Sequence, residues 1–147
     1  ADILIGALYR DPLNRSNAGS AYVLFGHNYS SSPFPDIDLS TFMLNPQEGF
    51  EIMGATAADS AGNFVNGGFD LNNDGYDDIG IVSSYRGSAY VLFGHNSSIL
   101  PFTAIDLLDI SSTSRSWGFK ISGGVTGEYG VAVNVIFQPG EQRLLNR

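Results

Sequence analysis

The sequence predicts an all-β chain built from a duplicated four-stranded unit, with no helix longer than one turn. Three observations carry this. Residues 19–28, GSAYVLFGHN, return unchanged at 87–96, and ten identical positions in a row mark a duplication. Glycine supplies 18 of 147 residues, about 12% against an average near 7%, a surplus that turns absorb and long helices tolerate poorly. The apolar runs are short, rich in β-branched residues and punctuated by Gly, Asn, Asp and Ser, the pattern of strands joined by turns.

The repeat continues on both sides of the identical block. Downstream, Phe34, Ile37, Asp38 and Leu39 return as Phe102, Ile105, Asp106 and Leu107; one inserted residue later, Gly49, Phe50, Ile52 and Gly54 return as Gly118, Phe119, Ile121 and Gly123. Upstream, Asp2, Ile3 and Ile5 match Asp78, Ile79 and Ile81. The offset changes from 76 to 68 because the first copy carries eight extra residues between Ile5 and Gly19, and insertions of this kind belong in exposed turns.

Each element follows in order. ADILIGA (1–7) and DDIGIVS (77–83) are nearly continuous in apolar residues, which suits strands covered on both faces. SAYVLFG follows a polar turn at 20–26 and again at 88–94, giving a hairpin in each copy. GFEIMG (49–54) and GFKISG (118–123) alternate apolar with polar residues and read as half-exposed strands. Residues 63–69 and 129–137 supply the remaining strand type, and 105–110 has room for one short helical turn. The three units are 1–62, a copy lacking its first strand; 63–123, a complete copy; and 124–147, the opening strand of a further copy with a diverged tail.

Composition narrows the function. Fifteen acidic residues against seven basic ones give a net charge of -8, which argues against nucleic acid or an anionic membrane, since both require a cationic footprint. No apolar run is long enough for a membrane-spanning helix, and ADILIGALYR lacks the features of a signal peptide. Ala1 at the start points to a processed or excised chain. Without cysteine there is neither a disulfide framework nor thiol chemistry.

The chemistry concentrates at residues 70–78, where Asp70, Asn72, Asp74 and Asp78 put oxygen-bearing side chains at loop positions 1, 3, 5 and 9. A hard divalent cation such as Ca²⁺ takes six to eight oxygen ligands. Asp70, Asn72 and Asp74 can converge on one ion, Gly75 permits the sharp turn, the Tyr76 carbonyl adds a backbone oxygen and Asp78 closes the cage. The competing reading is an ordinary Asx-rich turn between strands. Four carboxylates and an Asn in nine positions exceed what such a turn needs. An EF-hand is excluded because its twelfth position requires Glu, and the residue there is Ile81, inside an expected strand; a dockerin-type loop fails for the same reason.

GFDLNNDGYDDIGIV (68–82) followed by GSAYVLFG (87–94) resembles the FG-GAP repeat of integrin α-subunit propellers and of many bacterial surface proteins. The resemblance covers nearly the whole chain. It implies four-stranded antiparallel blades of a β-propeller, usually seven-bladed, of which this chain holds about two blades' worth as a fragment. It also implies Ca²⁺ held by Asp70, Asn72, Asp74, the Tyr76 carbonyl and Asp78, an extracellular or cell-surface location, and an adhesion or recognition role toward a protein or glycan ligand. Tyr129-Gly130 stands for FG, and Gly6-Ala7-Leu8 for GAP, with Ile81-Val82-Ser83 at that place in the second copy. The first copy keeps only Asp2 of its loop, and Gln138, Gly140, Gln142 and Asn146 stand where a third would have ligands. One complete calcium site is therefore expected, with neighbouring blades or self-association covering the open sides.

Other candidates are weaker. His27 and His95 occupy the same place in the duplicated FGHN, which reads as a turn rather than a catalyst. Asp77 and Asp78 could pair as hydrolytic carboxylates, yet adjacent strand residues face opposite ways. Trp117, Tyr90 and Phe93 read as packing residues, and Asn14, Asn28 and Asn96 open formal glycosylation sequons. No catalytic constellation emerges, so the expectation is a non-enzyme. The alternative is an accessory propeller of a secreted, phospholipase-type hydrolase whose catalytic domain lies elsewhere.

Overall fold

Short β-branched runs bounded by glycine and polar turns form strands where the local pattern places them. The computed structural model describes residues 2–27, 36–40, 48–85, 87–96, 98–112 and 117–123. Its strands are β1 (Ile3–Ala7), β2 (Ser20–Leu24), β3 (Gly49–Met53), β4 (Ala61–Phe69), β5 (Asp78–Ser83), β6 (Ser88–Leu92), β7 (Ile105–Asp106) and β8 (Gly118–Ser122). The helix α1 (Leu107–Ser112) lies between β7 and β8, longer than the single turn expected there. Among the described residues, no helix is long and apolar enough to cross a membrane. The strand expected at 129–137, the unit 124–147 and the sequon residue Asn28 lie outside the described residues.

The strands make two open four-stranded sheets, ordered β1-β2-β3-β7 and β4-β5-β6-β8. The second is antiparallel throughout. In the first, β1, β2 and β3 pair antiparallel, and β7 joins the outer edge of β3 in parallel, with Ile52 opposite Ile105 and Met53 opposite Asp106. The first sheet thus gains its fourth strand from the second copy, a partner the local pattern did not announce. A two-residue strand has almost no periodicity to read.

The duplication is exact in register. Ile3 faces Leu24 as Ile79 faces Leu92, and Tyr22 faces Glu51 as Tyr90 faces Lys120. Gly6 faces Ala21 and Val82 faces Ala89, so Gly6 corresponds to Val82, one place later than the motif comparison with Ile81 set it.

Burial separates the copies. β5 is buried at five of its six residues, as expected of a strand covered on both faces, because β4 pairs with its outer side. β1 departs from that expectation: it is an edge strand with Ile3 and Gly6 exposed. The half-exposed reading of GFEIMG and GFKISG also splits. β3 buries Gly49, Phe50 and Ile52, whereas β8 buries only Gly118.

One hydrophobic cluster joins both sheets and α1. Ala21, Val23, Phe50 and Ile52 meet Ile81, Tyr90, Leu92, Leu107 and Ile110. Phe102 stacks on Phe50 at 4.9 Å with planes 3° apart, and Phe25 closes the trio. The entry of β4 presses against the first sheet: the Ala61 N–H donates to the Ala18 carbonyl at 2.9 Å, and a Cβ on Gly6 would collide with the Gly62 carbonyl. Gly62 itself has φ +84°, so both glycines are required by backbone approach.

Arg15 bolts the copies together. It sits in the extra loop of the first copy, just after a 3-10 turn at Pro12–Asn14. Its Nη1 and Nη2 donate to the two Asp106 carboxylate oxygens at 2.7 and 2.8 Å, and Nη1 also reaches the Gly54 carbonyl at 2.9 Å. This bidentate fork is the strong form of the pair.

Candidate metal centre

The loop 70–78 connects β4 to β5, and its conformation follows from the residues that fill it. Asn73 and Gly75 have φ +61° and +89°, a left-handed geometry that Asn tolerates and Gly adopts freely. These two bends fold the short side chains back over their own backbone. Asp70 accepts the Asp74 N–H on Oδ1 (3.1 Å) and the Gly75 N–H on Oδ2 (2.8 Å). Asn72 Oδ1 accepts the same Asp74 N–H at 3.2 Å, while its Nδ2 donates to Asp74 Oδ2 at 2.8 Å. Asp74 Oδ1 accepts the Tyr76 N–H at 2.9 Å.

Asp70, Asn72 and Asp74 are thus joined by hydrogen bonds in an exposed loop. Tyr76 is tied in by its N–H, and its ring is exposed. Asp78 is placed differently. It is 0% exposed, and its two oxygens accept the Leu71 N–H (2.7 Å) and the Gly94 N–H (2.9 Å). Asp78 thus latches the start of the loop to the end of β6, a structural duty whether or not a cation binds.

The latch was missed in the sequence, yet it leaves a signal there. Asp2 accepts the Gly26 N–H at 2.8 Å, and Asp2 and Gly26 are the first-copy equivalents of Asp78 and Gly94. Both copies hold an Asp at the start of β1 or β5 and a Gly just past β2 or β6. Gly94 cannot be replaced easily, because a Cβ there would strike the Asp77 carbonyl.

The donor set suits a hard cation. All of it is oxygen, and a carboxylate oxygen that accepts one N–H has a second lone pair to offer. The arrangement as it stands is a hydrogen-bonded Asx turn: among the described residues, no three His, Cys, Asp or Glu side chains gather closely enough to hold an ion. If Ca²⁺ is held here, Asp70, Asn72 and Asp74 are the exposed donors, Tyr76 the backbone donor and Asp78 the buried one.

Two clefts flank the loop. A cavity of 480 Å³ between the sheets is walled by Leu4, Val23, Phe50, Ile79 and Leu92, with Asp77 and Asp78 in its lining. A groove of 560 Å³ includes Asn72, Asp74, Phe93 and Trp117. His95 lines both, with its ring 4.1 Å from Phe102 and Nε2 3.1 Å from the Leu100 carbonyl. Trp117 packs half-buried against the core and Tyr90 is buried within it, as packing residues. Compared with protein-family models, curated proteins and solved structures, the chain has no significant match.

Proposed function

We propose that the chain is a non-catalytic, calcium-binding segment of a β-propeller of the FG-GAP, integrin-α-like kind, serving adhesion or recognition at a cell surface or in a secreted protein. The observation that carries this reading is the second sheet, in which β4, β5, β6 and β8 lie side by side in chain order, all antiparallel, with β7 and α1 intervening between β6 and β8. That is the order of a propeller blade. The acidic loop sits between its first and second strands, where the FG-GAP resemblance puts the cation. A protein or glycan ligand would meet the loop face, and other blades would flank the sheets.

Calcium would neutralise the crowded carboxylates of Asp70, Asp74 and Asp78 and lock the β4–β5 connection. Extracellular modules of this type bind in the range of about 10⁻⁴ to 10⁻³ M. A ligand bound only by the folded chain raises its melting temperature by mass action. Titration with Ca²⁺ is expected to raise the melting temperature of the wild type and leave Asp74→Ala unmoved. Asp74 is the informative position because it is exposed, whereas removing Asp78 would orphan two backbone N–H groups and destabilise the chain by itself. An equal response of wild type and mutant would reduce the loop to a turn.

A further inference from the structure

Residues 66–68 read Asn-Gly-Gly, and no other Asn in the chain is followed by glycine. They lie in β4, where Asn66 faces Gly80, Gly67 faces Ile79, and the register shifts between Gly67 and Phe69. All three residues are exposed to water. The Gly67 N–H donates to Oδ1 of Asn66, its own neighbour, at 2.9 Å. Oδ1 is bonded to Cγ, so the contact holds a backbone nitrogen beside the one side-chain carbon it can attack, the arrangement from which a near-attack conformer forms.

The surroundings leave that nitrogen room to react. A Cβ on Gly67 would meet the Asp78 carbonyl oxygen at 3.6 Å and Leu4 Cδ2 at 3.9 Å, both ordinary contacts, and one on Gly68 would meet nothing within 4 Å among the described residues. Ring closure requires rotation about the Asn66 Cα–C bond, which a strand of ordinary residues resists. Two successive glycines and a shifted ladder permit it here. Asp74-Gly75 is a dipeptide of the same reactive type, and it is held differently. The Gly75 N–H donates to Asp70 Oδ2 at 2.8 Å, while the Asp74 carboxylate accepts from the Asn72 amide and the Tyr76 N–H.

We propose that Asn66 is a site of spontaneous deamidation, which makes β4 acidic as the protein ages. Hydroxide removes the Gly67 amide proton, the nitrogen bonds to Asn66 Cγ, and the Cγ–Nδ2 bond breaks, with Nδ2 taking a proton from water and leaving as ammonia. Water then opens the cyclic imide. Cleavage between Cγ and the nitrogen gives Asp at position 66. Cleavage at the main-chain carbonyl gives isoaspartate, whose backbone runs through the former side chain. Either product adds one negative charge to a chain of net charge -8, next to Gly67 and Gly68, which share a cavity wall with Asp77 and Asp78. Isoaspartate also inserts a methylene into the backbone opposite Gly80 and throws the β4–β5 hydrogen bonds out of step. This inference stands apart from calcium binding and from the adhesion reading.

The test is ageing of the full chain at mildly alkaline pH, followed by peptide mass mapping and by an isoaspartyl methyltransferase assay. Residue 66 is expected to convert before any other Asn, at a rate proportional to hydroxide. Gly67→Ala, which the space accommodates, is expected to slow the conversion severalfold. Asn66→Gln is expected to abolish it and to hold its melting temperature on ageing, while that of the wild type falls. Unfolding in urea is expected to accelerate isomerisation at Asp74 strongly and conversion at Asn66 little, because only the Asp74 site is tied up by the fold. Earlier conversion at another Asn, a Gly67→Ala chain that ages as fast as the wild type, an aged wild type with its original melting temperature, or equal acceleration of the two sites in urea would each overturn the proposal.

Discussion

The same ten residues, GSAYVLFGHN, open onto two different environments in one molecule. In the first copy, Tyr22 receives a hydrogen bond from Arg10 Nε at 3.1 Å and donates to Glu51 at 3.3 Å, and the sheet continues outward into β7. In the second, Tyr90 lies under Lys120, whose Nζ is 5.5 Å from the ring centroid, and among the described residues the sheet ends at β8. The two copies share strand pairing and register, and differ in what lies beside them. Local sequence therefore determines which residues become strands and how they pair, while neighbours determine which of those strands are buried.

The sharpest way to break this comparison is to exchange residues between copies. Gly6→Val installs the second-copy residue where a Cβ meets the Gly62 carbonyl. Backbone has nowhere to yield there, so a loss of about 4 kcal/mol or more, or failure to fold, is expected in urea denaturation. A Gly6→Val variant as stable as the wild type would show that β4 does not press on β1.

A smaller contrast lies between β3 and β8. Ile52→Ala should destabilise by about 2 to 4 kcal/mol, because it empties a site in the joint core. Ile121→Ala should change stability by less than about 1 kcal/mol. Equal effects would mean that β7 does not cover β3.

The smallest expected effect is that of the Arg15 fork, which sharpens the comparison because Arg15 lies in the eight extra residues of the first copy and has no counterpart in the second. Burial pushes the Asp106 carboxyl up from its ordinary 3.8, but the Arg15 hydrogen bond, the Leu108 N–H and the Arg15 charge outweigh it, and the net shift is downward. The Arg15 guanidinium is raised in turn, chiefly by its hydrogen bond to Asp106. A depressed carboxylate contributes stability that is fully present above its unfolded pKa and is lost as pH falls through the lower folded value. Arg15→Ala should therefore destabilise by about 1 kcal/mol at neutral pH, with the difference from wild type shrinking below about pH 4. A constant difference across that range would separate Asp106 from the effect.

Much of this was legible in the sequence. Hairpins, register and the acidic loop all follow from residues within one repeat, because period-two alternation and turn chemistry act over a few positions. The contacts that failed to show are those where the partner is far along the chain. Nothing in Ile105 and Asp106 says that they will pair with Ile52 and Met53, and nothing in Gly6 names Gly62 as its neighbour. At the loop, the spacing of Asp70, Asn72 and Asp74 marks them as candidate oxygen donors. The latch of Asp78 onto Gly94 did not emerge, because a motif read for its side-chain oxygens says nothing about which N–H groups they satisfy.

The late arrival of β7 has a consequence for synthesis. Met53 must wait for Asp106, its ladder partner, and at a ribosomal pace of about 5 to 20 residues per second that interval is roughly 3 to 10 seconds. Throughout it, β3 is a freshly made strand with a bare apolar edge, the kind of surface that pairs with other nascent chains. The emerging polypeptide is thus most vulnerable between the synthesis of β3 and that of β7, and its protection depends on how quickly the second copy follows the first.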